Sequence, residues 1–281
     1  MNEKKEKVSK EIYNFLKKSC SKYVDEEQGV TVFANIRTPY FIRGYRVLHP
    51  NRKIVLRFHD LIGPGLGLDR DRICCLVEEL RSEGIIDEVE SYDRAGAILL
   101  KAKYRPNGVN PDFMSEIDPS YRTYLYKFVG TQKSLNPKEL RTRAIAVVDD
   151  SVKLFYPKIL SWCVTKNHKN REKFLSYPEF ARDSACAEVY VDLFRVSPDE
   201  GFSFRIPEAL HLNRKIISNR KGLRDEPFYS PERVFLIGED SCERLRSFIE
   251  ADIPPLPAEI LRLYDTRFWW TEDDPAKEVF E

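Results

Sequence analysis

Ser197-Pro-Asp-Glu-Gly-Phe-Ser-Phe-Arg-Ile-Pro-Glu-Ala-Leu210 decides the fold, because the approach from a strand, a turn and the start of a helix meet in it. Just before it, Ala187-Glu-Val-Tyr-Val-Asp-Leu193 alternates polar and apolar residues and is rich in β-branched valine, the pattern of a strand. After the turn, Phe204 to Leu212 reads as a helix and Lys215-Ile-Ile-Ser218 as a second short strand. Strand, helix and strand in succession form a parallel unit. This puts the turn, with Gly201 able to take a positive φ, at the carboxyl edge of the sheet, where open α/β sheets bind ligands.

The turn carries chemistry as well as geometry. Glu200 and Glu208 flank it with seven residues between them, and Pro207 near the helix start gives up an N–H that would have no helical partner there. The backbone amides of Gly201, Phe202, Ser203 and Phe204 are then available to an anion, and Arg205 adds a charge-assisted contact. A purely structural reading stands beside this one. A glycine turn followed by a helix with one Glu in its first turns is a common α/β device, the carboxylate being favoured by the helix dipole.

Composition narrows the function classes. The chain of 281 residues is 42% hydrophobic, enough for one large or two medium cores. Its 46 Lys and Arg nearly cancel 45 Asp and Glu, so net charge gives no drive toward nucleic acid. Cys20, Cys74, Cys75, Cys163, Cys186 and Cys242 show no metal-binding spacing, which points to reduced thiols, a cytoplasmic setting and no structural zinc. Nor does any apolar run approach the ~20 residues of a spanning helix. The lysine-rich amphipathic stretch from Glu3 to Tyr23 reads as a solvated helix, with peripheral contact to the inner face of a membrane as the alternative.

Working outward toward the amino terminus, strands are expected at Gly29–Ala34, Lys53–Phe58, Glu88–Tyr92 and Ala97–Lys101, with helices at Thr38–Leu48 and Asp69–Glu83. Alternating strands and helices imply a second parallel sheet. His59 and Asp60 close the strand at Phe58 and lie at a carboxyl end, the position of functional residues in such sheets. Gly63, Gly65 and Gly67 spell neither a dinucleotide fingerprint nor a P-loop. The Pro- and Gly-marked stretch from Tyr104 to Ser120 is the expected domain boundary. Beyond it come a strand at Leu125–Gly130, a helix from Pro137 to Tyr156, a strand at Lys158–Val164 and a helix at Tyr177–Ala185. After the central unit follow a strand at Arg233–Ile237 and helices at Cys242–Ala251 and Ala258–Tyr264. Three regions result: 1–118, 119–257 and a segment 258–281, whose Phe268-Trp-Trp270 is expected to pack back on the first.

The central motif, Pro198-Asp-Glu-Gly-Phe202 with Glu208-Ala-Leu210, resembles the donor-site motif of retaining GT-B-fold glycosyltransferases. Phe174-Leu-Ser-Tyr-Pro-Glu-Phe180, Lys215-Ile-Ile217 and Phe228-Tyr-Ser-Pro-Glu-Arg-Val-Phe235 extend that likeness to the glycosyltransferases of bacterial capsule and lipopolysaccharide assembly. The resemblance implies an α/β protein of two Rossmann-like domains facing a cleft, here with a shortened N-terminal domain. It implies that Glu208 binds the ribose of a nucleotide sugar and Glu200 lies beside the transferred sugar. Gly201, Phe202, Ser203 and Arg205 would receive the diphosphate; Gly130 would end the strand that begins the donor domain, and a basic residue just beyond it, Lys133 or Arg141, would approach the diphosphate. His59 and Asp60 would position a glycan or lipid-linked acceptor. Asp60 matches the family pattern and His59 departs from it. No cofactor or metal is implied beyond the nucleotide sugar, and oligomerisation is left open. A non-catalytic nucleotide- or glycan-binding module of the same fold is the alternative, motivated by the shortened first domain, and an unrelated Rossmann-like enzyme is the other rival.

Overall fold

The computed structural model describes residues 24–25, 29–36, 38–60, 62, 69–117, 124–127, 129–132, 163–166, 181–182, 184–193, 201–271 and 273–280. It is a mixed α/β protein built on parallel-strand sheets, in keeping with a Rossmann-like reading. Two compact units divide the chain: residues 1–106 with 268–281, and residues 107–267.

The first unit holds a five-stranded sheet in the order β1-β2-β3-β4-β5. Its strands are β1 (Val24–Asp25), β2 (Val30–Ala34), β3 (Lys53–Phe58), β4 (Glu88–Ser91) and β5 (Lys103–Tyr104), all parallel except β1 against β2. Alternation along the strands sorts the two faces. Phe33, Ile54, Leu56 and Phe58 pack with Phe41, Ile42 and Tyr45 of α1 (Pro39–Leu48) and with Ile73, Leu76, Val77 and Leu80 of α2 (Arg70–Ser82). Val30, Val32 and Val55 face the other way and are covered by Trp270 from the carboxyl-terminal segment. Pro39 begins α1 without penalty because the first helical N–H has no partner in any helix. Asp69 caps α2 by accepting the Arg72 amide at 2.9 Å.

One expected strand is a helix. Ala97–Lys101 lies largely within α3 (Arg94–Leu100), where a short apolar run alone cannot separate strand from helix. Asp93 decides it, since its carboxylate accepts the Gly96 amide at 2.7 Å, and Lys101 closes the helix at φ 48°. The edge strand comes two residues later, as β5.

The second unit contains a four-stranded, fully parallel sheet in the order β11-β10-β9-β6. These strands are β6 (Tyr124–Lys127), β9 (Ala187–Asp192), β10 (Lys215–Ser218) and β11 (Val234–Leu236). A separate parallel pair joins β7 (Val129–Gln132) to β8 (Cys163–Lys166). The residues expected as one strand over Leu125–Gly130 belong to two strands in two sheets, β6 ending at Lys127 and β7 beginning at Val129. The expected helix at Pro137–Tyr156 and most of the one at Tyr177–Ala185 lie outside the described residues, as do Gly63, Gly65 and Gly67.

Helix α4 (Pro111–Ser115) precedes β6, and α5 (Arg205–His211) links β9 to β10. Helices α6 (Arg244–Glu250) and α7 (Ala258–Arg262) follow β11, and α8 (Ala276–Val279) ends the chain within the first unit. Every residue of β10 and β11 is buried, as expected for central and flanking strands covered on both faces. Lys215 opens β10 by sending its ammonium to the carbonyl ends of α6, donating to Phe248, Ala251 and, at 2.8 Å, Ile249. That placement satisfies carbonyls the helix leaves open and sets a cation at its negative end.

Candidate functional site

The turn between β9 and α5 lies at the carboxyl edge of the parallel sheet of the second unit. The helix it enters is short and sunk into the core, with Ile206, Pro207, Glu208, Ala209 and Leu210 all buried. Pro207 stands third in α5, where its missing N–H leaves no gap. The Glu208 amide donates to Phe204 O at 3.2 Å, and its side chain has 0% exposure. A buried carboxylate needs a cation nearby, and Arg205 acts on it electrostatically from the same helix.

The centre of this edge is a residue that the sequence presents only as part of a strand. Asp192, the last residue of β9, is fully buried and accepts from Ser203 Oγ at 2.7 Å, from the Ser203 amide at 3.3 Å and from Arg220 Nε at 2.7 Å. Arg205 Nη1 stands 3.5 Å from its other oxygen and 3.2 Å from Ser203 Oγ. Burial alone would raise the Asp192 carboxyl; the guanidinium groups of Arg220 and Arg205, with both Ser203 bonds, outweigh it and hold the group below the usual carboxylate range. Arg205 itself is lowered, chiefly by burial, with Asp192 and Glu208 opposing that and Arg220 adding to it.

Further bonds fix the turn from other sides. Arg220 Nη1 donates to Gly201 O at 2.5 Å, and Asn107 Nδ2 donates to Phe202 O at 2.8 Å. The Phe202 ring is buried against Phe228 and Tyr264, with centroids 5.9 and 6.0 Å away, and Tyr264 Oη donates to Glu226 Oε2 at 3.0 Å. Ser218 at the end of β10 ties the neighbouring strands, donating to Asp192 O at 2.6 Å and accepting the Arg220 amide at 3.1 Å. The anion that the Ser203 amide meets is therefore the chain's own Asp192. Two residues expected to hold a diphosphate, Ser203 and Arg205, both face that carboxylate.

In the first unit, His59 and Asp60 follow the carboxyl end of β3 and are linked through Asn35, just past β2. The His59 amide donates to Asn35 Oδ1 at 2.8 Å, and Asn35 Nδ2 donates to Asp60 Oδ2 at 3.1 Å. Asn35 adopts φ 54°, a left-handed conformation that asparagine tolerates better than most residues. His59 Nε2 lies 3.1 Å from Arg57 Nε. A guanidinium can only donate, so Nε2 accepts and the imidazole proton resides on Nδ1.

Beside His59 lies a charge network on the same sheet face as Val55. Arg57 Nη1 donates to Glu90 Oε2 at 3.1 Å, and Arg105 Nε and Trp270 Nε1 donate to Oε1 at 2.7 and 3.0 Å. Arg105 also pairs with Asp274, while the Arg57 guanidinium lies 4.6 Å from the Trp269 ring centroid. Burial pushes Arg57 down to about 10, Glu90 opposing and Arg105 adding, so it stays cationic near neutrality. Burial works against the Glu90 charge too, but Arg105 and Arg57 overcome it and keep its carboxyl below the usual range.

Of the remaining candidates, Glu200, Lys133 and Arg141 lie outside the described residues, and Gly130 sits within β7 opposite Val164. A polar pocket of about 310 Å³ in the second unit includes Glu188, Arg214, Lys215 and Asp252 in its lining. It opens at the amino ends of β9 and β10, the opposite edge from the turn. Among the described residues no group of three or more His, Cys, Asp and Glu is arranged to hold a metal ion, and no helix is long and apolar enough to cross a membrane.

No family model matches the chain, and no curated protein sequence matches it. Among solved structures it is similar to the trehalose-6-phosphate phosphatase N-terminal domain of Candida albicans, at 10% identity and a TM-score of 0.45, over 89% of this chain and 68% of that one.

Proposed function

We propose that the chain is a glycosyltransferase of the GT-B type, moving a sugar from a nucleotide sugar to a surface-polysaccharide or lipid-linked oligosaccharide acceptor, with retention and without a metal. The observation that carries the reading is Glu208, held without exposed surface on the first turns of the helix that leaves the carboxyl edge of a fully parallel sheet. A carboxylate there has little structural need of its own, because burying it requires a compensating cation. A ribose diol gives it a purpose, since two hydroxyls donate to one carboxylate. Glu208 is covered in the free chain, so ribose contact requires displacement of the residues that cover it.

In this reading Glu208 binds the ribose and Glu200 stands beside the transferred sugar. Gly201, Phe202, Ser203 and Arg205 line the diphosphate, with Gly130 and Lys133 approaching it, and His59 and Asp60 address the acceptor. Catalysis is then mainly positioning and electrostatic stabilisation of an oxocarbenium-like transition state. The test is thermal unfolding of the full chain with UDP, GDP, ADP, CMP and NAD, for the native protein and Glu208→Ala. One nucleoside diphosphate at 100 times its Kd should stabilise the native protein by about 2.7 kcal/mol, and the variant not at all. A shift retained by the variant, or a shift with NAD alone, overturns the assignment.

A second reading, a nucleotide-binding module without transferase activity, is favoured by Asp192. It already engages Ser203 and Arg205, so the groups that would stabilise a departing diphosphate during transfer are committed to the fold, while a ribose contact at Glu208 does not draw on them. Binding of a donor with neither sugar transfer nor donor hydrolysis would select it.

A further inference from the structure

We propose that Asp192 and Arg220 are a positioning pair that sets the Gly201–Ser203 turn for the donor, an inference that rests on the glycosyltransferase reading. Neither belongs to the resembling motif. Arg220 follows β10, 28 residues beyond Asp192 in sequence. Its side chain is 7% exposed and spans the turn, one nitrogen on Asp192 Oδ2 and another on Gly201 O. Asp192 completes the frame by taking both the amide and the hydroxyl of Ser203. The first and third residues of the turn are thus bound to one ion pair, and Asn107 and the aromatic contacts hold the residue between them.

Charge as well as geometry follows from the pair. Asp192 alone would repel a diphosphate arriving at the turn; Arg220 and Arg205 offset that charge, and with Glu208 also acting on Arg205 the two guanidinium groups balance the two carboxylates. The planar guanidinium is required, because a single ammonium cannot reach along two fixed donor directions. Arg220 acts through the turn and not on the sugar, so its loss should weaken donor binding while Glu208 and Glu200 remain in the chain.

The experiment uses Arg220→Lys, which keeps the charge opposite Asp192, and Ser203→Ala, which leaves the buried ion pair intact should the first variant fold poorly. Backbone amide exchange is followed in the full chain without ligand, and UDP and GDP are titrated into each protein. The expected result is exchange at Phe202, Ser203 and Phe204 at least about tenfold faster, with β9 and β10 as protected as in the native chain, and nucleotide affinity about tenfold weaker. Loss of protection across β9 and β10 together in both variants would mark the pair as general core support and overturn the proposal. So would native exchange at the turn, or a faster turn with native affinity. Should the native chain bind neither nucleotide, the donor reading falls, and turn exchange alone decides whether the pair sets the turn.

Discussion

Arg105 and Asp274 lie 169 residues apart in sequence and meet through two parallel hydrogen bonds, Nη1 to Oδ1 at 3.2 Å and Nη2 to Oδ2 at 2.7 Å. Through this pair the carboxyl-terminal segment becomes part of the first unit's core. Asp274 also accepts the amides of Trp270 at 2.9 Å and Ala276 at 3.0 Å, which folds the segment into a compact hook. Trp270, held at φ 61°, then reaches Glu90 and covers Val30, Val32 and Val55.

Asp274→Ala should therefore cost about 3–5 kcal/mol, the usual loss when one partner of a buried ion pair is removed and the other charge stays buried. Glu90 still faces Arg105, so the lower end of that range is expected. Urea unfolding measures the loss, and amide exchange assigns it to the first unit. A change of under about 1 kcal/mol, the worth of an exposed pair, would show that Arg105 finds water once Asp274 is gone.

Acid should unfold the protein in two stages. In the first, burial keeps His211 below its ordinary value, with Asp265 opposing this and Arg267 reinforcing it. A histidine that resists protonation when folded adds no penalty above its unfolded value of about 6.5 and an increasing one below it. In the second, Glu90, Asp192 and Asp274 all titrate below the usual carboxylate range because their arginine partners outweigh the effect of burial. Their stabilisation is fully present above the unfolded value of about 4 and is lost as pH falls through the folded values. Urea midpoints from pH 8 to pH 3 should decline gently below about 6.5 and steeply below about 4. His211→Gln should remove only the upper decline; its persistence in that variant would assign it elsewhere.

The central βαβ unit was legible because local signals agreed: alternation in Ala187–Leu193, a turn, and an apolar helix before Lys215–Ser218. Asp192 was not legible as a centre, since a carboxylate ending a strand looks the same whether it meets solvent or two arginines. What it meets depends on Arg220, brought in by the parallel pairing of β9 and β10. Arg57 and Glu90 were hidden for a related reason. Period-two alternation puts them on the face opposite Phe58, and their burial comes from a segment more than 160 residues away. Leu125–Gly130 reads as one strand because nothing local marks that β6 and β7 belong to different sheets. Arg94–Leu100 is the reverse case: its apolar run suited either element, and the Asp93 cap signal was present but lay in front of a run too short for periodicity to speak.

That cap gives the last prediction. A Cβ on Gly96 would lie 2.5 Å from Ser91 Oγ and 2.7 Å from Asp93 Oδ2, both buried and bonded to each other at 3.1 Å. Alanine would favour the helix by about 1 kcal/mol over glycine. Against this stand an overpacking cost of about 1–3 kcal/mol and about 1 kcal/mol for a disturbed cap. Gly96→Ala should accordingly destabilise the first unit by about 1–3 kcal/mol, despite improving helix propensity. Combining it with Ser91→Ala removes the nearest obstructing atom, so the double variant should be more stable than the sum of the single losses by at least about 0.5 kcal/mol. Thermal or urea unfolding of the four proteins closes the cycle. Additive losses would mean that Ser91 turns aside at no cost, and that Asp93 alone carries the effect.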